Sequence, residues 1–141
     1  MIDDDMYFYR RSEPELYDHS IGLLERVQGD ELSLLIERIE TYLDEGYAHG
    51  GVSARQGNNR IYTATRDVTR INNVHFFDRD VVLGEGLKFG EMMVMEDFYV
   101  SLSLIERGYP NRCIYEWCWC QRGSGTKGGC STYRTAEVQA A

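Results

Sequence analysis

Two pairs of carboxylates in this chain are spaced for chemistry. Asp3 and Asp5 flank Asp4 directly after the apolar Ile2. Alternate residues of an extended segment point the same way, so both carboxylates can converge on one hard cation. A Mg²⁺ or Mn²⁺ ion held there would bridge a diphosphate and neutralise it as it leaves. An acidic triplet of this kind also serves as plain solvated surface. The second pair, Glu96 and Asp97, opens a segment of helical pattern. Acids in a first helical turn interact favourably with the dipole and the free N–H groups, which is a sufficient structural reason for both. The catalytic reading makes Asp97 a general base, with Glu96 beside it, its carboxylate held by the helix end toward an acceptor hydroxyl.

A polar segment, AHGGVSARQGNNR over residues 48–60, supplies groups of another kind. Its glycines allow backbone to approach a ligand closely. Arg55 and Arg60 suit phosphate, and Gln56, Asn58 and Asn59 suit sugar or base edges. A surface loop has the same composition, and His49 within the segment reads as a satisfied structural histidine before it reads as a ligand. The stretch GSGTKGGCS at residues 123–131 resembles a phosphate loop only superficially, because Lys127 is followed by Gly128 and no helical pattern comes after it. A flexible flap or substrate-contacting loop, or an inert turn, fits better.

The elements that must carry these groups alternate in kind. Leu32, Leu35, Ile36, Ile39, Tyr42 and Leu43 recur at helical spacing, which predicts a helix over residues 30–43 with Asp30 as cap and Gly46 as stop. Residues 47–60 read as a short strand entering the polar loop, and residues 61–80 as one or two strands. A second helix begins at Glu96 and Asp97 and stops at Gly108 and Pro110. Its Phe98, Val100, Leu102, Leu104 and Ile105 are expected to face packing partners. Residues 113–121 form an aromatic strand, residues 122–129 a glycine-rich turn, and residues 136–141 a loose tail. The pattern is mixed α/β in a single domain spanning 1–141.

Charge and cysteines narrow the function classes. Asp and Glu outnumber Lys and Arg by 23 to 15, a net charge of −8. A domain that coats duplex nucleic acid carries a basic stripe instead, so a broad footprint on DNA is excluded while a local basic patch is not. Cys113, Cys118, Cys120 and Cys130 lack a standard zinc-ribbon spacing and are expected to be free thiols. With no signal peptide, and no apolar run near the ~20 residues a membrane helix needs, the expectation is a cytoplasmic protein.

Taken in order, these pieces resemble a family. Asp3-Asp4-Asp5 is similar to the Asp-x-Asp that closes the nucleotide-binding half of GT-A glycosyltransferases. Met95-Glu96-Asp97-Phe98, followed by Leu102, Leu104 and Gly108, resembles the x-Glu-Asp helix supplying their acceptor-side base. The stretches HGGVSARQGNNR, VMEDFYVSLSLIERGYPNR and QRGSGTKGGCSTYRT closely resemble the TET-associated glycosyltransferases, found largely in phages. The resemblance runs from Ile2 to about Thr135, and the last two stretches are specific in combination.

The resemblance implies a partial GT-A mixed sheet with flanking helices, representing the metal and acceptor half of the enzyme. It implies a nucleotide-sugar donor, Mn²⁺ or Mg²⁺ on Asp3 and Asp5, and Asp97 as base if the reaction inverts. Arg55, Gln56, Asn58, Asn59 and Arg60 would line the site, with Gly128 and Gly129 above it. The acceptor would be a hydroxyl, on hydroxymethylated pyrimidines of phage DNA, and the setting the host cytoplasm. The family's βαβ nucleotide-binding region precedes its Asp-x-Asp and is not in this sequence, so a complementing N-terminal half is expected. A rival from another class is a non-catalytic module or remnant that pairs with such a half or binds modified DNA. A small zinc protein built on the cysteines is the third reading.

Overall fold

A computed structural model describes residues 6–11, 24–58, 60–92 and 95–121. Its elements in order are β1 (Met6–Arg11), β2 (Leu24–Arg26), α1 (Glu31–Asp44), β3 (His49–Ala54), the four-residue α2 (Arg55–Asn58), β4 (Thr65–Asp67), β5 (His75–Phe77), α3 (Arg79–Gly84), α4 (Glu96–Glu106) and β6 (Arg112–Gln121). The mixed α/β pattern read from the sequence is present, with two short helical elements, α2 and α3, that periodicity did not announce; α2 is a single turn interrupted by non-helical backbone at Gln56 and Gly57. At six residues α3 is too short to show a period. Asp78 caps it, its carboxylate accepting from the N–H groups of Asp80 and Val81 at 2.9 and 3.1 Å.

β6 organises the sheet. One edge takes β3 in parallel, and the other is shared by β4 along its first residues and β1 along its last, both antiparallel. β2 extends the sheet beyond β1 and β5 beyond β3, giving the order β2-β1-β6-β3-β5 with β4 off that path. β6 is buried almost continuously because both its faces are covered. Ile114 and Trp117 pack with Phe8, Leu35, Tyr42, Val52, Val74 and Phe76 on the α1 side, whereas Cys113 and Tyr115 pack with Ile71. A further cluster, Val82, Leu87, Val100 and Leu104, seats α3 and α4.

Between Val52 and Ser53 the register of β3 on β6 jumps, from Val52 opposite Ile114 to Ser53 opposite Cys118. The intervening β6 residues lose their place on that ladder and need other partners. Asn58 Nδ2 donates to the Tyr115 carbonyl at 3.0 Å, and Ser53 Oγ donates to the Trp117 carbonyl at 3.4 Å. Tyr115 N–H in turn donates to the Ala64 carbonyl at 2.8 Å.

Several local expectations are corrected. Asp30 makes no side-chain cap; instead the Glu31 carboxylate accepts from Gln28 N–H at 2.9 Å. Gly46 does end α1, at φ +97°, donating to the Leu43 carbonyl. Leu102 does not face a packing partner and is 60% exposed, because the buried face of α4 runs through Val100, Ser101 and Leu104. The glycines of the HGG stretch make room for protein rather than ligand. A Cβ on Gly50 would lie 2.2 Å from the Arg112 carbonyl and 2.3 Å from the Phe76 ring, and one on Gly51 would lie 2.2 Å from the Val74 carbonyl. Only hydrogen at these two positions lets β5 and β6 close on β3.

Candidate functional site

That close approach fixes the placement of three rings. In the β3–β5 ladder His49 sits opposite Phe77, and Gly51 opposite His75. His75 and Phe77 are two residues apart on one strand and therefore share a face. The Phe77 ring lies between the two imidazoles, nearly parallel to each, with centroids 6.2 Å from His49 and 5.7 Å from His75.

The first turn and a half of α4 lies against this row. His75 Nε2 is 3.1 Å from Asp97 Oδ2. Asp97 Oδ1 accepts from the Phe98 N–H at 2.9 Å, while Oδ2 meets the His75 ring at ion-pair distance. Ser101, one helical turn on, places its hydroxyl 3.3 Å from His49 Nδ1. His49 Nε2 lies 2.8 Å from the Tyr109 carbonyl. A carbonyl only accepts, so Nε2 carries the proton and Nδ1 receives the Ser101 hydroxyl proton. Met95, immediately before α4, adopts φ +63°, a left-handed backbone that turns the chain into the helix.

The electrostatics follow from burial. The His75 side chain is 1% exposed and that of Asp97 22%. Burial pushes both His49 and His75 below the ordinary value near 6.5; the Tyr109 carbonyl opposes this at His49, and the Asp97 charge opposes it at His75. The pair is thus a neutral imidazole beside a carboxylate that reaches solvent. Arg70 lies 5.0 Å over the Phe98 ring, adding a cation to this end of α4.

A cavity of about 450 Å³ adjoins the ring row and shares Phe77 with it. Val82, Leu87 and Phe89 line it together with Arg79 and Lys88, and Phe89 meets Phe77 edge-on at 5.1 Å. An apolar wall with a few cations is the usual make-up of a site for a ring-bearing ligand.

The remaining sequence candidates fall elsewhere. The loop at residues 55–60 leaves the far end of β3 from His49. Arg55, Gln56 and Arg60 are exposed there, with the Arg55 guanidinium 4.3 Å over the Tyr9 ring and Gly57 turning the chain at φ +88°. Asn58 differs from its neighbours. It is 1% exposed, its oxygen receives Arg11, and its nitrogen donates to Ser53 Oγ at 2.6 Å and to the Tyr115 carbonyl. Its amide is consumed inside the protein, so it shapes the loop from below rather than meeting a ligand. Glu96 is half-buried beside Asp97. Asp3, Asp5, Asn59, Gly128 and Gly129 lie outside the described residues. Among the described residues no group of His, Cys, Asp or Glu is placed to hold a metal ion. Nor, among them, is any helix long and apolar enough to cross a membrane.

Cys113, Cys118 and Cys120 are free thiols, as expected, and Cys130 lies outside the described residues. Burial pushes the thiols of Cys113 and Cys118 up to about 12. Sequence reading missed His75, Phe77 and Ser101. The visible signal was His75 and Phe77 alternating in a short strand, but nothing in the spacing ties them to α4.

Comparison with known proteins gives two close results. The chain is 30% identical over 143 residues to the beta-glucosyl-HMC-alpha-glucosyl-transferase of Enterobacteria phage T2, covering 96% of this chain and 49% of that protein. It is 28% identical over 140 residues to the protein of the same name from Enterobacteria phage T6, with the same coverage. The chain therefore spans about half the length of these curated relatives. No protein-family profile matches it, and no solved structure matches it.

Proposed function

We propose that this chain is the acceptor-side half of a GT-A-like glycosyltransferase that adds a sugar from a nucleotide-sugar donor to modified phage DNA. The observation that carries this reading is the similarity to the T2 and T6 transferases along 96% of the chain. Asp97, set at a helix start with its carboxylate open to solvent, is consistent with it. The printed name of these relatives describes an alpha-glucosyl transfer onto beta-glucosyl-HMC. By analogy the acceptor here is a hydroxyl of a sugar already attached to hydroxymethylcytosine, rather than the hydroxymethyl group itself.

In this reading the anomeric carbon of the donor loses its bond to the diphosphate and gains one to the acceptor oxygen. The acceptor proton must leave. With inversion, Asp97 takes it as general base, with Glu96 beside it. With an α-linked donor and an α-linked product the configuration is retained; Asp97 then orients the hydroxyl by accepting its hydrogen bond, and the proton passes to the leaving diphosphate oxygen. The cavity beside Phe77 holds the acceptor, with Arg79 and Lys88 toward its phosphates. Arg55, Gln56 and Arg60 contact the substrate from the other end of β3, with Asn59, Gly128 and Gly129 assigned to the same task by resemblance. Asp3 and Asp5 would hold Mn²⁺ or Mg²⁺, which would supply charge for the leaving diphosphate.

The test uses DNA carrying unmodified cytosine, hydroxymethylcytosine or β-glucosyl-hydroxymethylcytosine with labelled nucleotide-glucose. The chain is assayed alone and together with the half of the T2 relative that it does not span. Labelling of the glucosylated DNA, dependent on Mn²⁺ or Mg²⁺ and abolished by Asp3→Ala with Asp5→Ala, is the expected result. Binding of glucosylated DNA without transfer under any of these conditions would establish the non-catalytic module instead.

A further inference from the structure

We infer that His75 is the positioning residue for Asp97, its ring held by the sheet against one oxygen of the carboxylate. The consequence for catalysis rests on the transfer reading above; the pairing itself does not. A carboxylate at a helix start can turn about its side-chain torsions and meet solvent, the helix N–H groups or a neighbouring cation. Here one oxygen faces the Phe98 N–H and the other the His75 ring, which fixes the plane of the group. His75 is itself held: its strand is locked to β3 by the two glycines, and its ring is stacked on Phe77.

The choice of histidine has a physical reason. A Lys or Arg at 3.1 Å would place a permanent charge against Asp97 and lower its proton affinity, weakening it as an acceptor of the substrate proton. An imidazole kept neutral by burial sits at the same distance with no net charge. A carboxylate can then be both held and basic. His49 supports the same arrangement one turn along α4, where Ser101 and the Tyr109 carbonyl occupy both its ring nitrogens and anchor the helix to the sheet.

Nuclear magnetic resonance of ¹⁵N-histidine-labelled protein tests the pairing without any assay of activity. In the parent, His75 should be the Nε2–H tautomer, with its ring proton far downfield. Asp97→Asn should move that proton upfield and lower the proton affinity of His75 while leaving His49 unchanged. An unchanged His75 signal in Asp97→Asn would overturn the proposal. The kinetic arm uses His75→Phe, which keeps the ring and removes the donor, and His75→Gln, which restores an N–H.

In the kinetic arm, His75→Phe should lower kcat at least tenfold with donor KM little changed. The pH profile of kcat should change as well, which a purely structural role of His75 would not bring about. His75→Gln should recover part of the rate. A folded His75→Phe protein with the parental kcat and pH profile would also overturn it. If His75→Phe does not fold, Asp97→Asn and His75→Gln decide. If the parent transfers no sugar, the transfer reading fails while the resonance arm still decides the pairing.

Discussion

Arg11 on β1 holds Asn58, 47 residues along the chain, through both the side chain and the backbone. Arg11 Nε and Nη2 donate to Asn58 Oδ1 at 3.1 and 2.8 Å, and Nη2 also donates to the carbonyls of Asn58 and Ile61 at 2.7 and 2.8 Å. Both residues are buried. β1 thereby dictates the shape of the loop that presents Arg55, Gln56 and Arg60, and the Asn58 amide satisfies backbone exposed by the β3–β6 register jump.

Asn58→Ala should therefore do damage out of proportion to its size. It removes two charge-assisted bonds from a buried guanidinium and leaves the Tyr115 carbonyl and Ser53 short of a donor. Bonds to charged groups contribute about 1.5–3 kcal/mol each, not additively, so a loss on the order of 3 kcal/mol is expected. Denaturant melts read it directly; a loss below about 1 kcal/mol would show that the clamp is dispensable.

Gly51→Ala should be at least as harmful, because its Cβ would stand 2.2 Å from a backbone carbonyl that cannot move without parting β5 from β3. Overpacking typically costs about 1–3 kcal/mol, and a backbone clash lies at the upper end. Gly57→Ala is the control. Nothing lies within 4 Å of its added Cβ, so only the strain of φ +88° counts, of the order of 1 kcal/mol. Thermal melts should rank the two; equal effects would contradict the packing argument.

Acid should destabilise the protein through its histidines. His49 and His75 have folded proton affinities pushed below the ordinary value near 6.5, so below that pH the unfolded chain binds more protons than the folded one. Stability from this source is full above about pH 6.5 and is lost as pH falls toward the folded values. His49→Asn should flatten the fall in melting temperature between about pH 7 and pH 5, measured against the parent at each pH. A slope equal to the parent's would count against it.

Thiol reactivity should split by position along β6. Cys113 and Cys118 are buried, with thiols pushed up to about 12, whereas Cys120 is partly exposed. Native alkylation near neutral pH, mapped by mass spectrometry, should label Cys120 and spare Cys113 and Cys118, all three labelling once the chain is denatured. Labelling of Cys118 as fast as Cys120 in the native protein would show that β6 opens at that point.

If the transfer inverts and Asp97 is its base, Asp97→Asn should leave the fold intact and remove the proton acceptor. Loss of general-base help lowers rate by about a hundredfold to ten-thousandfold. If Asp97 only ends a helix, stability should change by at most about 1 kcal/mol and transfer should persist. Transfer assays on glucosylated DNA distinguish the two outcomes.

Local order was legible in the residues themselves. The period of Leu35, Ile39 and Tyr42 produced α1, the Glu96-Asp97 start and Gly108 stop bounded α4, and the aromatic alternation of residues 113–121 marked β6. These are short-range effects of side-chain period, capping and left-handed glycine, and a stretch of about a dozen residues suffices to express them. Asp97 was singled out for the same reason, since a helix start is a local property.

The companions of Asp97 were decided by tertiary structure alone. His75 reaches it because β5 lies beside β3, and β5 lies there because Gly50 and Gly51 carry no side chain. From composition those glycines suited a ligand's approach, and only the packed sheet shows that Phe76, Val74 and Arg112 fill the space. Asn58 likewise read as a group for substrate until Arg11 was found against it. A contact across 22 or 47 residues leaves no periodic trace in a sequence, because its geometry is set by the pairing of strands between other parts of the chain.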